Sequence, residues 1–400
     1  MVLVVRTDAS GHDISDGDWE FVRSLCQWVE RDISAFVWDV VTSIREELPT
    51  YAVVPRPDHE AMVREHIRGL LAGLAARRLP ARADAEHARA MGRRRAQQGV
   101  AVEEVLSAYH LGYRDVWNTL LSRAHTEDPG QAARLLGLVN LVWAWLRVIT
   151  IAVADGHAET TRAREENRIG LGHELLDALY AGRVTAESTE LLAHALAFDP
   201  HAEFQAICCP AGPWPPADLD VLRRRLRAEP GTSSAITRGP VLVIVFQRTS
   251  AERILDLLSR HTSPMAGVGL VRPGLAGAAA AVVDAERSLA VAQRNGGGVV
   301  RFGSEWLAAT LLPHMDRLRQ LTDTTAAVEQ PHLCDAVRAF ADNGFSVTAS
   351  ARALHVHPNT VKYRLDRWKQ HTGWDPRTLD GLQRSLLGIA FSSSVPEAGS

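Results

Sequence analysis

SVTASARALHVHPNTVKYRLDRWK, residues 346–369, divides into two helical patterns around a short break. Ser346 has the side chain of an N-cap ahead of a short helix reaching Leu354. His355-Val356 makes a tight turn, and His357-Pro358 opens a second helix with proline at its favoured first position. Helix, three-to-four-residue turn and helix make a helix-turn-helix. On the second helix Val361, Leu365 and Trp368 fall at i, i+4 and i+7 and form a buried stripe, with Ala351 and Leu354 facing it from the first. The remaining surface then carries Asn359, Thr360, Lys362, Tyr363, Arg364, Arg367 and Lys369. Amides, forked guanidinium donors, a phenol and ammonium groups read base edges and grip phosphates when a helix lies in a major groove. These seven are therefore the expected DNA-binding residues, and double-stranded DNA the expected partner.

The distribution of charge agrees. The 400 residues carry 44 basic and 47 acidic side chains, a net charge of -3, so the chain as a whole is no polyanion magnet. Residues 331–391 nevertheless hold eight Lys/Arg against five Asp/Glu, a balance of +3 that leaves -6 for the remainder. Lys362 and Lys369, the only lysines in the sequence, both lie on the second helix. A composition of 46% hydrophobic and 23% charged residues is that of globular domains and excludes a disordered chain. Four scattered cysteines, Cys26, Cys208, Cys209 and Cys334, are too few for a disulfide scaffold or a zinc site and fit a reducing compartment.

Upstream, the pattern is helical over residues 15–165. Trp19 to Leu48 reads as one amphipathic helix, and others follow at 58–78, 83–98 and 101–125. After Pro129 a long helix runs to Tyr180. Its first part, Leu135 to Ala154, is apolar enough to cross a bilayer by length, but Asn140 and Arg147 lie within it, and a central arginine costs about 2.5 to 3.5 kcal/mol on insertion. A helix covered by its own domain or by a dimer partner is the expected reading, with no membrane. The apolar run after Met1 is four residues long, short of a signal-peptide core, so a cytoplasmic location is expected. Residues 166–198 read as a helical linker. From 199 to 305 short β-prone runs (Phe204–Cys209, Val241–Phe246, Met265–Val271, Val299–Phe302) alternate with helical patterns at 216–228, 250–261 and 274–294, which marks an α/β domain. Residues 306–330 form a polar connector helix, 331–391 the helix-turn-helix domain, and 392–400 a Ser/Gly/Pro-rich tail expected to fray.

The string from Ser350 to Leu365, followed by Gly373-Trp374-Asp375, resembles the C-terminal helix-turn-helix of the PucR/CdaR family of bacterial transcription regulators. It is also similar to the Fis-type helix-turn-helix, except that His355 stands where a glycine often sits; histidine tolerates the left-handed conformation better than most residues. Residues 200–305 resemble the GGDEF-like domain of that family, with Gly267-Val-Gly269, the Asp284-Ala-Glu286-Arg287 helix and Val299-Val300-Arg301-Phe302 in order. Residues 92–121 resemble the all-helical N-terminal domain of RsbR-type stress regulators. The resemblance implies a multidomain, mainly α protein. It would combine an all-helical sensor or dimerisation domain, a degenerate GGDEF-like α/β domain and a C-terminal helix-turn-helix, acting as a homodimer under an unknown small-molecule effector.

Other sites are weighed and declined. A diguanylate cyclase needs a glycine-glycine turn followed by metal-holding carboxylates, whereas Gly296-Gly297-Gly298 leads into Val299-Val300, so no enzymatic activity, catalytic residue, cofactor or metal is expected. Cys208-Cys209 read as buried inert thiols. Arg93, Arg94 and Arg95 read as a solvated helix face or dimer rim. Trp19, Trp28, Trp38, Trp117, Trp143 and Trp145, with His110 and Arg114, are either core or the wall of an effector pocket. A stress-signalling scaffold is the alternative to a regulator, with a nucleotide cyclase behind it.

Overall fold

The computed structural model describes residues 16–127, 133–261, 265–322, 327 and 329–392. The signal-peptide expectation at the N-terminus and the frayed tail at 393–400 lie outside the described residues. The chain forms two compact units, Met1–Asn167 and Arg168–Ser400. It is mainly helical with one sheet in the middle region, as the sequence led us to expect.

The first unit contains α1 (Asp16–Arg31), α2 (Ile33–Glu47), a 3-10 turn (Pro49–Val53), α3 (Arg56–Ala75), α4 (Arg82–Gln97), α5 (Val102–Glu127), a second 3-10 turn (Ala133–Leu138) and the start of α6 (Val139–Tyr180). The single helix expected from Trp19 to Leu48 is broken at Asp32, whose backbone (φ -124°, ψ 43°) leaves the helical region. Val29, Ile33 and Val37 are all buried, so the apolar spacing continues across the break and conceals it. Aspartate competes for backbone hydrogen bonds and is a poor residue for a helix interior. Two glycines let α4 and α6 touch: a Cβ on Gly92 would collide with the Val153 carbonyl, and one on Gly156 with the Arg89 carbonyl. The apolar segment of α6 lies partly in this core. Trp145, Leu146, Ile149, Ala152 and Val153 are buried, and the Trp145 indole stacks over Gly73 and donates to the Arg78 carbonyl at 3.0 Å. Trp143 and Ile151 are exposed. By length and hydropathy alone this helix passes for a membrane span, as core helices of soluble proteins also do.

In the second unit, β1 (Glu203–Pro210), β2 (Thr232–Arg238), β3 (Val241–Gln247), β4 (Met265–Val268), β5 (Arg272–Pro273) and β6 (Gly298–Arg301) form a sheet of order β2-β3-β1-β4-β6, with β5 pairing to β1. All pairings are antiparallel except β4 with β6. The edge strand β2, TSSAITR, is absent from the expected strands because only Ala235 and Ile236 are buried in it and no apolar run announces it. The run Met265–Val271 is not one strand but ends at Val268, β5 resuming at Arg272. The helices of this region are α7 (Glu187–Ala195), α8 (Pro216–Ala228), α9 (Ala251–Ser259) and α10 (Gly274–Arg294). Gly267 and Gly269 admit α10 against β4, since a Cβ on either would meet the helix backbone at Ala285 or Ala281. Arg272 bonds the buried Asp284 of α10 at 2.9 Å. Cys208 and Cys209 are buried on β1 and burial pushes their thiols up, Cys209 to about 12, which keeps them protonated and inert. The connector is interrupted: α11 (Phe302–Leu311), a 3-10 turn at Leu312–His314 set by Pro313, then α12 (Met315–Thr322).

Candidate nucleic-acid interface

Four helices build the C-terminal region: α13 (Pro331–Asp342), α14 (Val347–Ala353), α15 (Pro358–Thr372) and α16 (Leu379–Ser392). Ser346 caps α14 by accepting the Ala349 N–H at 3.2 Å. The turn closes through the Val356 N–H to the Ala351 carbonyl at 2.9 Å, and His355 takes the left-handed conformation at φ 53°. His357 caps α15, its Nδ1 accepting the Asn359 N–H at 3.2 Å, with Pro358 in the first turn. At the other end Gly373, φ 79°, stops the helix in the left-handed region.

Val361, Leu365 and Trp368 are fully buried against Leu333, Val337, Phe340, Ala351 and Leu382. The buried polar groups here are paired. Trp368 Nε1 donates to Ser385 Oγ at 2.7 Å, Ser385 Oγ donates to the Gly381 carbonyl, and Ser350 Oγ donates to the Ser346 and Ala339 carbonyls. One side of α15 is thus committed to the core. Successive residues advance about 100° around a helix, so the seven expected residues do not share one line. Asn359, Tyr363 and Arg367 run along the outer face, Tyr363 being 61% exposed. Lys362 and Lys369 flank them on one edge, both exposed, with Thr360 and Arg364 on the other, both half-buried.

Among the described residues Lys362 and Arg364 form no side-chain hydrogen bond or ion pair. Arg367 bonds Gln370 at 3.2 Å, and Lys369 pairs with Asp375 at 3.1 Å. Asp375 is partly buried, which raises its carboxyl, but the Arg377 N–H and the Lys369 ammonium hydrogen-bond to it and, with the Arg377 charge, hold it below the usual carboxylate range. Arg377 also grips Asp366 at 2.7 Å, neutralising the one acid on the outer side of α15. Sequence reasoning passed over Asp366 and Gln370, which share the outer face. The spacing Tyr363, Asp366, Gln370 was the available signal.

Comparisons with known proteins follow the same division. Residues 34–169 match the N-terminal domain of the RsbT co-antagonist protein rsbRD, 181–291 a GGDEF-like domain, and 333–391 the PucR C-terminal helix-turn-helix domain. The helical, α/β and helix-turn-helix regions thus each match a separate domain model. Uncharacterized proteins of Mycobacterium bovis and Mycobacterium tuberculosis are 42% identical over 69 residues, which is 17% of this chain and 16% of theirs. The chain therefore matches under a fifth of the length of those relatives. A regulator of polyketide synthase expression from Bifidobacterium adolescentis is similar at 22% identity and a TM-score of 0.33, over 56% of this chain and 97% of that one. The helix-turn-helix formed by α14 and α15 thus lies inside the stretch that matches the PucR C-terminal domain.

The other candidate residues are placed as follows. Arg95 is not part of a solvated face: it is 2% exposed and turned into the first unit, because three consecutive helical residues cannot share one side. Arg94 bonds Asp58, and Arg93 lies 3.6 Å from Glu159. His110, Arg114, Trp117 and Trp143 line one cleft of the first unit, whereas Trp19 and Trp145 are core and Trp28 and Trp38 lie outside that cleft. Arg114 is held there by Glu47 at 2.8 Å and Asp115 at 3.0 Å. No group of three or more metal-ligating side chains occurs among the described residues.

Proposed function

We propose that this chain is a cytoplasmic, sequence-specific regulator of PucR/CdaR type that binds DNA as a homodimer, with α15 as the helix that enters the major groove. The observation that carries this reading is the division of α15. Val361, Leu365 and Trp368 anchor one side immovably, while Asn359, Tyr363 and the unpaired Lys362 and Arg364 stand on the surface left over. Asn359, Thr360, Tyr363 and Arg364 are assigned to base edges or nearby phosphates, Lys362 and Arg367 to the backbone. Lys369 joins them when DNA competes with Asp375. Two copies would place half-sites about 34 Å apart or at multiples of that spacing. Exposed Trp143 and Ile151 on α6 supply apolar surface for pairing. The upstream domains are read as non-catalytic and as controlling the availability of the reading helix.

A gel shift against genomic fragments, with bound DNA recovered and sequenced, tests the reading. Arg364→Ala should weaken binding by about 1 to 3 kcal/mol and relax one position of the site; Lys362→Ala should weaken all sequences alike and lower the salt slope by about one. Both variants should keep their helical content. No shift with any fragment would favour the scaffold reading that the rsbRD-type domain suggests, in which the helical unit acts on protein partners.

A further inference from the structure

Lys362 stands free on α15 although an acid lies within its reach. Asp366 follows it by four residues, one helical turn along the same side, and opposite charges so spaced pair with each other. Among the described residues Lys362 nevertheless has no such partner, and Asp366 is bonded instead to Arg377 at 2.7 Å.

Arg377 comes from residues 373–378, the loop that joins α15 to α16. Its guanidinium donates to Asp366 Oδ1 and to the Lys362 carbonyl at 3.3 Å, and lies 3.8 Å from Asp375 Oδ1. The loop itself is fixed. Asp375 Oδ1 accepts the Arg377 N–H at 3.1 Å, the Asp375 carbonyl accepts the Thr378 hydroxyl at 2.9 Å, and Thr378 Oγ1 accepts the Gly381 N–H at 3.1 Å. Gly381, near the start of α16, lies so close that a Cβ on it would meet the Asp375 carbonyl oxygen at 2.2 Å. Arg377 is thus presented to α15 from a firm support.

The side chains of Arg377 and Asp366 are 35% and 55% exposed, and an ion pair so open to water contributes little to folding. What it changes is the charge that α15 shows to the outside. The helix carries four Lys/Arg, at 362, 364, 367 and 369, and one acid, Asp366. Lys369 is already held by Asp375. Released from Arg377, Asp366 would engage Lys362 as well and repel phosphates from the middle of the outer face.

We propose that Arg377 is a positioning residue for DNA binding: it holds Asp366, so that Lys362 stays free for a phosphate, and does not itself touch the DNA. This rests on the reading of α15 as the helix that enters the major groove.

The test is a double-variant cycle on the full chain, titrating a genomic fragment that the parent shifts at several salt concentrations. Arg377→Ala should weaken binding about fivefold for each α15 on the duplex, the effect of one unit charge near contact distance in water, and should lower the salt slope as Lys362→Ala does. The loss should be alike on specific and unrelated fragments, since no base contact is removed. Asp366→Asn alone should bind within about twofold of the parent, and adding it to Arg377→Ala should restore affinity and slope to within that margin. Removing Asp366 could not make good a damaged fold or a lost contact between Arg377 and phosphate. The melting temperature of Arg377→Ala should stay near that of the parent. Should the alanine variant not fold, Arg377→Gln, which keeps a donor and drops the charge, takes its place in the cycle. A double variant that binds as weakly as the single one, or a single variant with parental affinity and slope, overturns the inference and leaves the DNA-binding reading standing. No shift of any fragment by the parent chain removes that reading, and this inference with it.

Discussion

Inside the helix-turn-helix the Trp368 indole and the hydroxyls of Ser350 and Ser385 all have partners, whereas inside the N-terminal helical unit Tyr109, Tyr113, His59 and His66 each keep a buried polar atom without one. The same contrast holds for charge. Arg95 is sealed in the first core, while no arginine or lysine among the described residues is fully buried in the second. Both regions are bundles of amphipathic helices obeying the same periodicity. A satisfied apolar core gives one rigid shape, which is what a reading head needs to present side chains to a fixed lattice of base pairs. A core that withholds some of its hydrogen bonds is less stable than one that makes them all.

The comparison breaks most readily at Trp368. Trp368→Ala should cost about 3 to 5 kcal/mol, because it empties the centre of a well-packed core and leaves Ser385 without its indole donor. Calorimetry should show the C-terminal transition lost and the gel shift lost with it, while N-terminal melting stays in place. Retention of DNA binding would mean that α15 is held by something other than this core.

Acid should separate the two regions next. Burial lowers His59 from 6.5 to about 3, with the Arg95 charge adding to it, and lowers His66 to about 4, with His87 contributing. The unfolded chain therefore binds more protons than the folded one between these values, and folding weakens as the pH falls below 6.5 toward 4. The loss is at most about 1.4 kcal/mol per pH unit for each histidine. Asp375 in the C-terminal region has the opposite timing: its carboxyl lies below the usual 3.8, so its contribution persists through that window and disappears only in stronger acid. Scanning calorimetry from pH 7 to 4.5 should show the N-terminal transition moving down ahead of the C-terminal one; parallel shifts would refute the difference.

The smallest effect sharpens the contrast at one backbone position. His355 sits at φ 53°, a conformation costly to most side chains and free to glycine. His355→Gly should relieve that strain at some entropic cost, for a net gain below about 1 kcal/mol. A slightly raised melting temperature with unchanged DNA affinity is expected, and a fall would show that the imidazole itself holds the turn.

The C-terminal region was legible because its determinants are local. Caps, turn length, Pro358 and the Val361, Leu365, Trp368 stripe all lie within one short run of chain. The break at Asp32 was hidden because the apolar spacing continues through it, and β2 because an edge strand buries only part of one face. Arg95 was misread because a run of arginines signals charge but not direction.

From the sequence alone came the helix-turn-helix, its core stripe, the basic residues around its outer face and the order of helical, α/β and helical domains, since these rest on periodicity and capping over neighbouring residues. Only the tertiary structure decided that Lys369 and Asp366 have intramolecular partners and that Arg95 meets two histidines and three tyrosines around one cavity. Those groups come from separate helices and loops. Whether a polar side chain finds a partner depends on the direction in which each helix turns it, a fact of three dimensions that spacing along the chain does not carry.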